Sequence, residues 1–433
     1  MDLSRLFPAT PPPGPFRAGF WRSPLRGRWL TSTFALVLLV GVTVVAITGF
    51  LSYAAYNPAL GSNDLTPNKG LLGFYFFDWP TKPVWLYQVN QGLHVIGGLV
   101  LTPVLLAKLW SVMPKLFSWP PVRSAAQALE RLSLLALVGG AVFSFATGIM
   151  NIAYWYPFPF SFYPGHLYGA WVFTAGFVVH VAIKVPTMRR ALRTRRLVDE
   201  LRVPLDQTRP EERMDSEDEL APVAPREATL SRRGLLGLVA GSSAVVFVLT
   251  AGQTIGGPLT RSVALLAPRG RSYGSGPNDF QVNKPAAAAG VTAEMGGASY
   301  RLELVAGTDG PVARELSREE LLGLDLYTYE LPIACVEGWS TTQTWTGVRL
   351  RDLAMLAGVP GASEMTAESL QGEGNFATTT FSGDQVDAEK SLLALQVNGV
   401  DLSLDHGFPA RIIIPAGPGV HNTKWVSRMT FEA

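Results

Sequence analysis

Between Leu132 and Ile183 the chain carries no Asp, Glu, Lys or Arg. A run of that length is too long for one bilayer crossing, which takes ~20 apolar residues. Tyr154-Trp155-Tyr156-Pro157-Phe158-Pro159 interrupts it. Proline ends a helix and aromatic rings favour the membrane–water interface, so the stretch reads as two spans joined by an interfacial loop. Residues 29–63 are also free of charge, and 29–53 are long enough to span. Further apolar segments lie at 84–107 and 234–256. Charged residues make up only 16% of the 433, low for a chain whose surface meets water alone. The expected architecture is an all-α transmembrane bundle of four helices with a fifth anchor helix, followed by an α+β domain.

Basic residues orient the bundle. Arg17, Arg22, Arg26 and Arg28 precede the first span; Lys108, Lys115, Arg123 and Arg131 lie between the second and third; Arg189, Arg190, Arg193, Arg195 and Arg196 follow the fourth. The alternate loops hold two balanced pairs, Asp64 and Asp78 with Lys69 and Lys82, or no charge. The positive-inside rule then places the N-terminus in the cytoplasm and residues 257–433 outside a bacterial cell membrane. The expected divisions are a tail (1–28), a four-helix membrane domain (29–187), a charged cytoplasmic linker (188–230), an anchor helix (231–256) and an extracytoplasmic domain (257–433). A net charge of +2 gives no case for a nucleic-acid partner. Ser231-Arg232-Arg233-Gly234-Leu235-Leu236-Gly237 resembles a twin-arginine export signal kept as an anchor, a route suited to a domain exported already folded.

Beyond Arg261 the composition becomes ordinary. Tyr300 to Val305, Leu324 to Ile333, Arg411 to Ile414 and Lys424 to Phe431 read as strands. Ser317-Arg318-Glu319-Glu320 is a capping box, and Leu350 to Leu356 reads as a helix stopped by Gly358 and Pro360. The only cysteine, Cys335, follows the second of these strands. A lone thiol forms no intrachain disulfide; packing, redox exposure and metal ligation remain open to it. The Gly-containing run of Ser, Thr and Gln after it reads as a polar loop that presents sulfur at a sheet edge, and thiolate is a soft ligand for a transition metal. Further on, Arg411 and Lys424 sit beside Gly-rich turns able to hold a phosphate.

Ile333-Ala334-Cys335-Val336-Glu337-Gly338-Trp339-Ser340, with Trp345-Thr346-Gly347-Val348 and Leu350 to Leu353, resembles the core of sulfite oxidase-type molybdopterin oxidoreductases, most of all the methionine-sulfoxide reductase catalytic subunit branch. The resemblance implies that Cys335 ligates molybdenum beside a pyranopterin dithiolene and is the catalytic residue. It also implies that Asn278, His406, Arg411, Asn422, Thr423 and Lys424 contact the molybdopterin. Residues 371–382 lack the arginine cluster that an oxyanion such as sulfite would call for.

Three of the five histidines, His94, His166 and His180, lie in apolar spans, where an ionisable ring by default suggests function. His166 and His180 are fourteen residues apart, so they share a helix face about 21 Å apart along the axis. Both the second and fourth spans run inward, which brings His94 and His166 to similar depth as a bis-imidazole site for haem b. Gly92, Gly97, Gly98, Gly165 and Gly169 flank them. Residues 30–185 resemble the four-helix cytochrome b subunits of membrane formate dehydrogenases and hydrogenases. His180 has no evident partner, since the residue fourteen after His94 is Lys108; it is expected to bind haem or to line a quinone or proton site.

The expectation is therefore a membrane-bound, molybdenum-dependent oxidoreductase that transfers oxygen atoms to or from a sulfoxide or similar small substrate outside the membrane. Haem b would exchange its electrons with the quinone pool or another membrane carrier. The alternative is a non-catalytic electron-transfer or assembly protein that keeps the molybdopterin fold.

Overall fold

The computed structural model describes residues 7–65, 74–213, 220–266 and 278–433. The apolar stretches form α1 (Arg28–Ala55), α2 (Leu86–Leu116), α3 (Ala125–Ile152), α4 (Phe162–Leu192) and, after the single turn α5 (Leu197–Glu200), α6 (Arg232–Ile255). These five long helices are long and apolar enough to cross a membrane by length and composition. Val40, Leu106, Leu135, Val178 and Leu238, one on each, are exposed. The Tyr154–Pro159 interruption falls between α3 and α4, as expected. Boundaries differ at the cationic ends: α2 runs past residue 107 to Leu116 and α4 past residue 187 to Leu192, because lysine and arginine are good helix formers and extend the helix rather than opening the loop.

The chain divides into two compact units, one of Met1–Ala46, Ile96–Met150 and Gly165–Leu249, the other of Ile47–Val95, Asn151–Pro164 and Thr250–Ala433. In the first, Trp29, Leu30, Phe34 and Leu38 of α1 pack with Leu101, Val104, Ala141, Phe173 and Val239. Helices α3 and α4 meet at glycines: a Cβ on Gly140 would lie 2.9 Å from the Phe173 Cα, and one on Gly176 3.1 Å from the Leu137 N. Such small residues let helix backbones approach closely. The open N-terminus of α1 is capped by Glu211, whose carboxylate accepts from the Trp29 and Leu30 N–H groups at 2.8 and 3.2 Å. Arg232, the first of the paired arginines, is buried and donates to Glu200 at 3.3 Å and to the Arg209 carbonyl at 2.7 Å.

In the second unit the short helices α7 (Pro258–Val263) and α8 (Ala286–Ala289) precede an α+β fold. Its first strands are β1 (Leu302–Ala306), β2 (Val312–Leu316), β3 (Tyr327–Ala334), β4 (Ser340–Arg349) and β5 (Glu364–Ser369). Then come β6 (Thr378–Ser382), β7 (Leu392–Val397), β8 (Val400–Asp401), β9 (Arg411–Ile413) and β10 (Val426–Glu432), with helices α9 (Arg318–Leu322), α10 (Leu350–Leu356) and α11 (Gly383–Asp387) between them. One sheet runs β2-β1-β10-β5-β6, the other β3-β4-β7-β8 with β9 on β7. All pairings are antiparallel except β1 with β10. Leu302, Leu304, Met429 and Phe431 of the first sheet share a core with Leu393, Leu395 and Ile412 of the second and Leu350 and Leu353 of α10. The capping box holds α9 as expected: the Glu320 N–H donates to Ser317 Oγ at 3.1 Å and the Ser317 N–H to Glu320 Oε2 at 2.8 Å. The edge of β6 is closed by Asn63, whose amide bonds both the carbonyl and the N–H of Thr380, at 2.7 and 3.1 Å.

The run after Cys335 is not a polar loop. Residues 340–349 are β4, of which 340–347 pair with β3, because threonine, tryptophan and valine suit a pleated surface whatever their polarity. Gly347 is needed there: its Cβ would lie 2.0 Å from the Leu393 carbonyl oxygen and 2.6 Å from the Ala394 Cα. Relief would require β4 and β7 to separate. Gly347→Ala is therefore expected to cost about 3 kcal/mol or more, read as a lowered unfolding midpoint or loss of folded protein.

Candidate active site

The hairpin between β3 and β4 turns in five residues. The Cys335 N–H donates to the Trp339 carbonyl at 2.9 Å and the Gly338 N–H to the Cys335 carbonyl at 3.0 Å. Gly338 takes a φ of +90°, open to glycine at little cost. Side chains from the helical segments of the same unit fix this turn: Gln91 Nε2 donates to the Val336 carbonyl at 2.6 Å and Gln88 Nε2 to Ser340 Oγ at 2.8 Å, while Thr254 Oγ1 donates to the Gly338 carbonyl. Cys335 is thereby held at one position, 2% exposed, with Leu331, Ile333 and Trp345 behind it.

On its other side the sulfur lines a cleft of about 780 Å³, including the mouth open to solvent. Arg411, Asn422, Thr423 and Lys424 line the same cleft, so the structure gathers five of the expected site residues around one space. Burial pushes the Cys335 thiol well above its usual range, with the Glu337 carboxylate adding to the shift, so the thiol is neutral unless a cation takes the proton's place. Burial lowers the Arg411 guanidinium to about 9 and drives the Lys424 ammonium well below its ordinary value, with Arg411 adding to the latter.

The cations are held by carbonyls. Arg411 donates to the His406 carbonyl at 3.2 Å, and Lys424 Nζ to the carbonyls of Lys284 and Asp405 at 2.9 and 2.7 Å. Among the described residues neither forms an ion pair, and Arg411 Nε and Asn422 Nδ2 have no hydrogen-bond partner. The Asn422 amide is fixed by its other end, since the Ile414 N–H donates to Oδ1 at 3.0 Å. A buried guanidinium, a half-buried ammonium and two unpartnered donor atoms around one cleft suit an anionic ligand such as a pterin phosphate.

Two expected contacts do not line the cleft. Asn278 pins the chain instead, donating to the Asp401 carbonyl at 2.9 Å and accepting from the Ser403 N–H at 3.1 Å. His406 uses both ring nitrogens, with Ser403 Oγ at 2.8 Å and the Phe280 carbonyl at 3.0 Å, and supports Arg411 through its own carbonyl. The asparagine beside the sulfur is Asn283, whose Nδ2 lies 3.4 Å from Sγ. Lys284, Gln371 and Phe376 also line the cleft and carry no sequence motif.

The helical histidines occupy distinct settings. The His94 imidazole packs on α1 where a Cβ at Gly49 would come within 2.7 Å of Cε1. His166 Nδ1 lies 2.9 Å from Thr147 Oγ1 on α3, and His180 follows on α4. Of the flanking glycines, Gly92 faces Thr254, Gly97 faces Val45 and Gly169 faces Phe143 as helix-packing contacts, while Gly49 and Gly148 are the glycines against imidazoles. Among the described residues no group of three or more His, Cys, Asp or Glu could hold a metal ion.

His421 is fully buried, edge-on to Tyr56 with ring centroids 5.4 Å apart and near Phe376 at 5.9 Å. Among the described residues its two ring nitrogens have no partner. Burial lowers it to about 3, and His406, lowered mainly by burial, to about 4. Both rings stay neutral in the fold and bind a proton once unfolded, so stability present above pH ~6.5 is lost as pH falls toward those values, by up to about 1.4 kcal/mol per pH unit for each. His421→Phe should flatten the fall in unfolding midpoint between pH 6.5 and 4; an unchanged slope would refute the assignment.

Residues 289–433 match the family described as oxidoreductase molybdopterin binding domain. The chain is 30% identical over 163 residues to nitrate reductase (NADH) of Volvox carteri, covering 31% of this chain and 19% of that one. It is 28% identical over 160 residues to mitochondrial sulfite oxidase of Homo sapiens, covering 31% and 29%. It is 35% identical over 133 residues to the uncharacterized oxidoreductase YuiH of Bacillus subtilis, covering 30% and 65%. The chain thus spans less than a third of the first two relatives. A solved structure, the sulfane dehydrogenase SoxCD from Paracoccus pantotrophus, aligns at 25% identity over 31% of this chain and 38% of that one with a TM-score of 0.28, and carries no argument. Residues 289–433, with the β3–β4 hairpin and its cleft, are therefore an oxidoreductase molybdopterin-binding domain of the sulfite oxidase and nitrate reductase kind.

Proposed function

We propose that the protein is a membrane-bound molybdopterin-dependent oxidoreductase, of the methionine-sulfoxide reductase branch, that transfers oxygen atoms to or from a small substrate outside the cytoplasmic membrane. The observation that carries this reading is the cleft itself, where one thiol shares the space with a buried guanidinium and a half-buried ammonium, neither in an ion pair among the described residues, and with two unpartnered donor atoms. Molybdenum held there would supply a two-electron centre able to take or give an oxo group. Cys335 would ligate it through sulfur. Arg411, Lys424, Asn422 and Thr423 would hold the anionic part of the cofactor, and the apolar wall of Leu331, Ile333 and Trp345 would keep water from behind the sulfur. The substrate would meet Lys284, Gln371, Asn375 and Phe376 on the cleft wall. With one lysine and no arginine among those four, they suit a neutral polar oxide such as a sulfoxide better than an oxyanion.

The five apolar helices, their exposed aliphatic faces and the clustering of arginines at alternate connections support insertion in a membrane with residues 257–433 outside. Arg232 and Arg233 would serve in export of the already folded C-terminal domain before α6 packs against the bundle, since Arg232 ends buried. His94 and His166 would ligate one haem b that passes electrons to or from quinone, with His180 lining the quinone or proton site. The Thr147 contact at His166 Nδ1 supports ligation through Nε2.

Metal and haem quantitation tests both halves. Cys335→Ser should lose bound molybdenum and turnover while keeping haem; retained turnover would overturn the assignment. His166→Ala should lose the sharp reduced α-band near ~560 nm while molybdenum stays bound, and an unchanged spectrum would remove the haem from this reading.

A further inference from the structure

Tyr154 belongs to the loop between α3 and α4, well before the matched residues, yet its phenol oxygen lies 2.6 Å from Asn283 Oδ1 and 2.5 Å from Glu337 Oε1. Glu337 is itself fixed, since Trp339 Nε1 donates to its other oxygen at 3.1 Å, and it is 5% exposed. Asn283 in turn directs Nδ2 at the Cys335 sulfur. The tyrosine backbone takes a φ of +53°, a conformation sparsely populated by bulky residues and often found where a side chain must be aimed. Burial, with Glu337 beside it, pushes the phenol pKa up, so the hydroxyl keeps its proton.

The phenol has one proton to share between two acceptors, Asn283 Oδ1 and Glu337 Oε1. With Oδ1 toward the phenol, the Asn283 amide presents its NH₂ to the sulfur. Turned over, it would present a carbonyl oxygen to the lone pairs of a thiolate, a repulsive contact. We infer that Tyr154 is a positioning residue of the active site: it holds Asn283 so that an N–H donates to the Cys335 sulfur when that sulfur ligates metal. The inference rests on the proposed molybdenum site. A hydrogen bond to a thiolate ligand withdraws electron density from it and favours the reduced metal, so such contacts set reduction potential. The loop between two long helices thereby acts on a ligand of the C-terminal domain.

Tyr154→Phe keeps the ring and removes only the O–H. In the full chain loaded with cofactor, the expected result is a more negative midpoint potential of the molybdenum centre and an altered paramagnetic signal, with molybdenum content unchanged. Asn283→Leu should shift the potential in the same direction, and the double variant should shift it no further than Asn283→Leu alone, because the two side chains act through one hydrogen bond. A merely structural tyrosine would lower the unfolding midpoint and leave potential and signal where they were; that result, with molybdenum bound, overturns the inference alone. Wild-type protein that binds no molybdenum would overturn the underlying assignment as well.

Discussion

The fold has to hold a buried neutral thiol, a buried guanidinium and a half-buried ammonium around one cleft, and among the described residues no carboxylate pairs with either cation. Burying a charge is expensive unless it is paired and hydrogen-bonded. Here backbone carbonyls meet part of that need, from His406 for Arg411 and from Lys284 and Asp405 for Lys424. What they leave over is a net positive, donor-rich cavity. Two sheets and their shared core hold the walls of this cavity. The arrangement suits the cofactor that the family match over residues 289–433 implies.

The position of the sulfur depends on more than the hairpin. Gln88, Gln91 and Thr254 all bond the turn 335–340 or the residue that closes it, and Tyr154 reaches the groups beside it. Each comes from a helix end or interhelical loop outside the matched residues. A side chain that must stay within a fraction of an ångström of a metal needs such outer support. The second unit therefore reads as a domain that has recruited helical segments as part of its own active-site wall, rather than one carried passively on an anchor.

Much of this was legible in the residue order because the signals were local. Charge-free runs marked the long helices, the Ser317–Glu320 capping box marked α9, and Cys335 with Trp339 and Trp345-Thr346-Gly347 carried the family resemblance, where Gly347 is demanded by a carbonyl 2.0 Å from its missing Cβ. Other features were legible only in part. The Thr-rich β4 passed for a loop because its polar residues conceal a strand that pairs with β3 on one side and β7 on the other. Asn278 and Asn283 differ by five residues and look alike in sequence, but only Asn283 faces the sulfur. Tyr154 and Glu337 are 183 positions apart, and nothing in either segment announces the other. Proximity of that kind is a product of the tertiary fold.

The central claim is that the Cys335 sulfur binds molybdenum in the cleft it lines. X-ray absorption at the molybdenum edge of the purified full chain counts the sulfur neighbours of the metal directly. Comparison of wild type with any Cys335→Ser protein that retains metal should show one sulfur scatterer fewer in the variant. Identical sulfur shells in the two proteins would mean that this thiol is packing alone, and the account would fail.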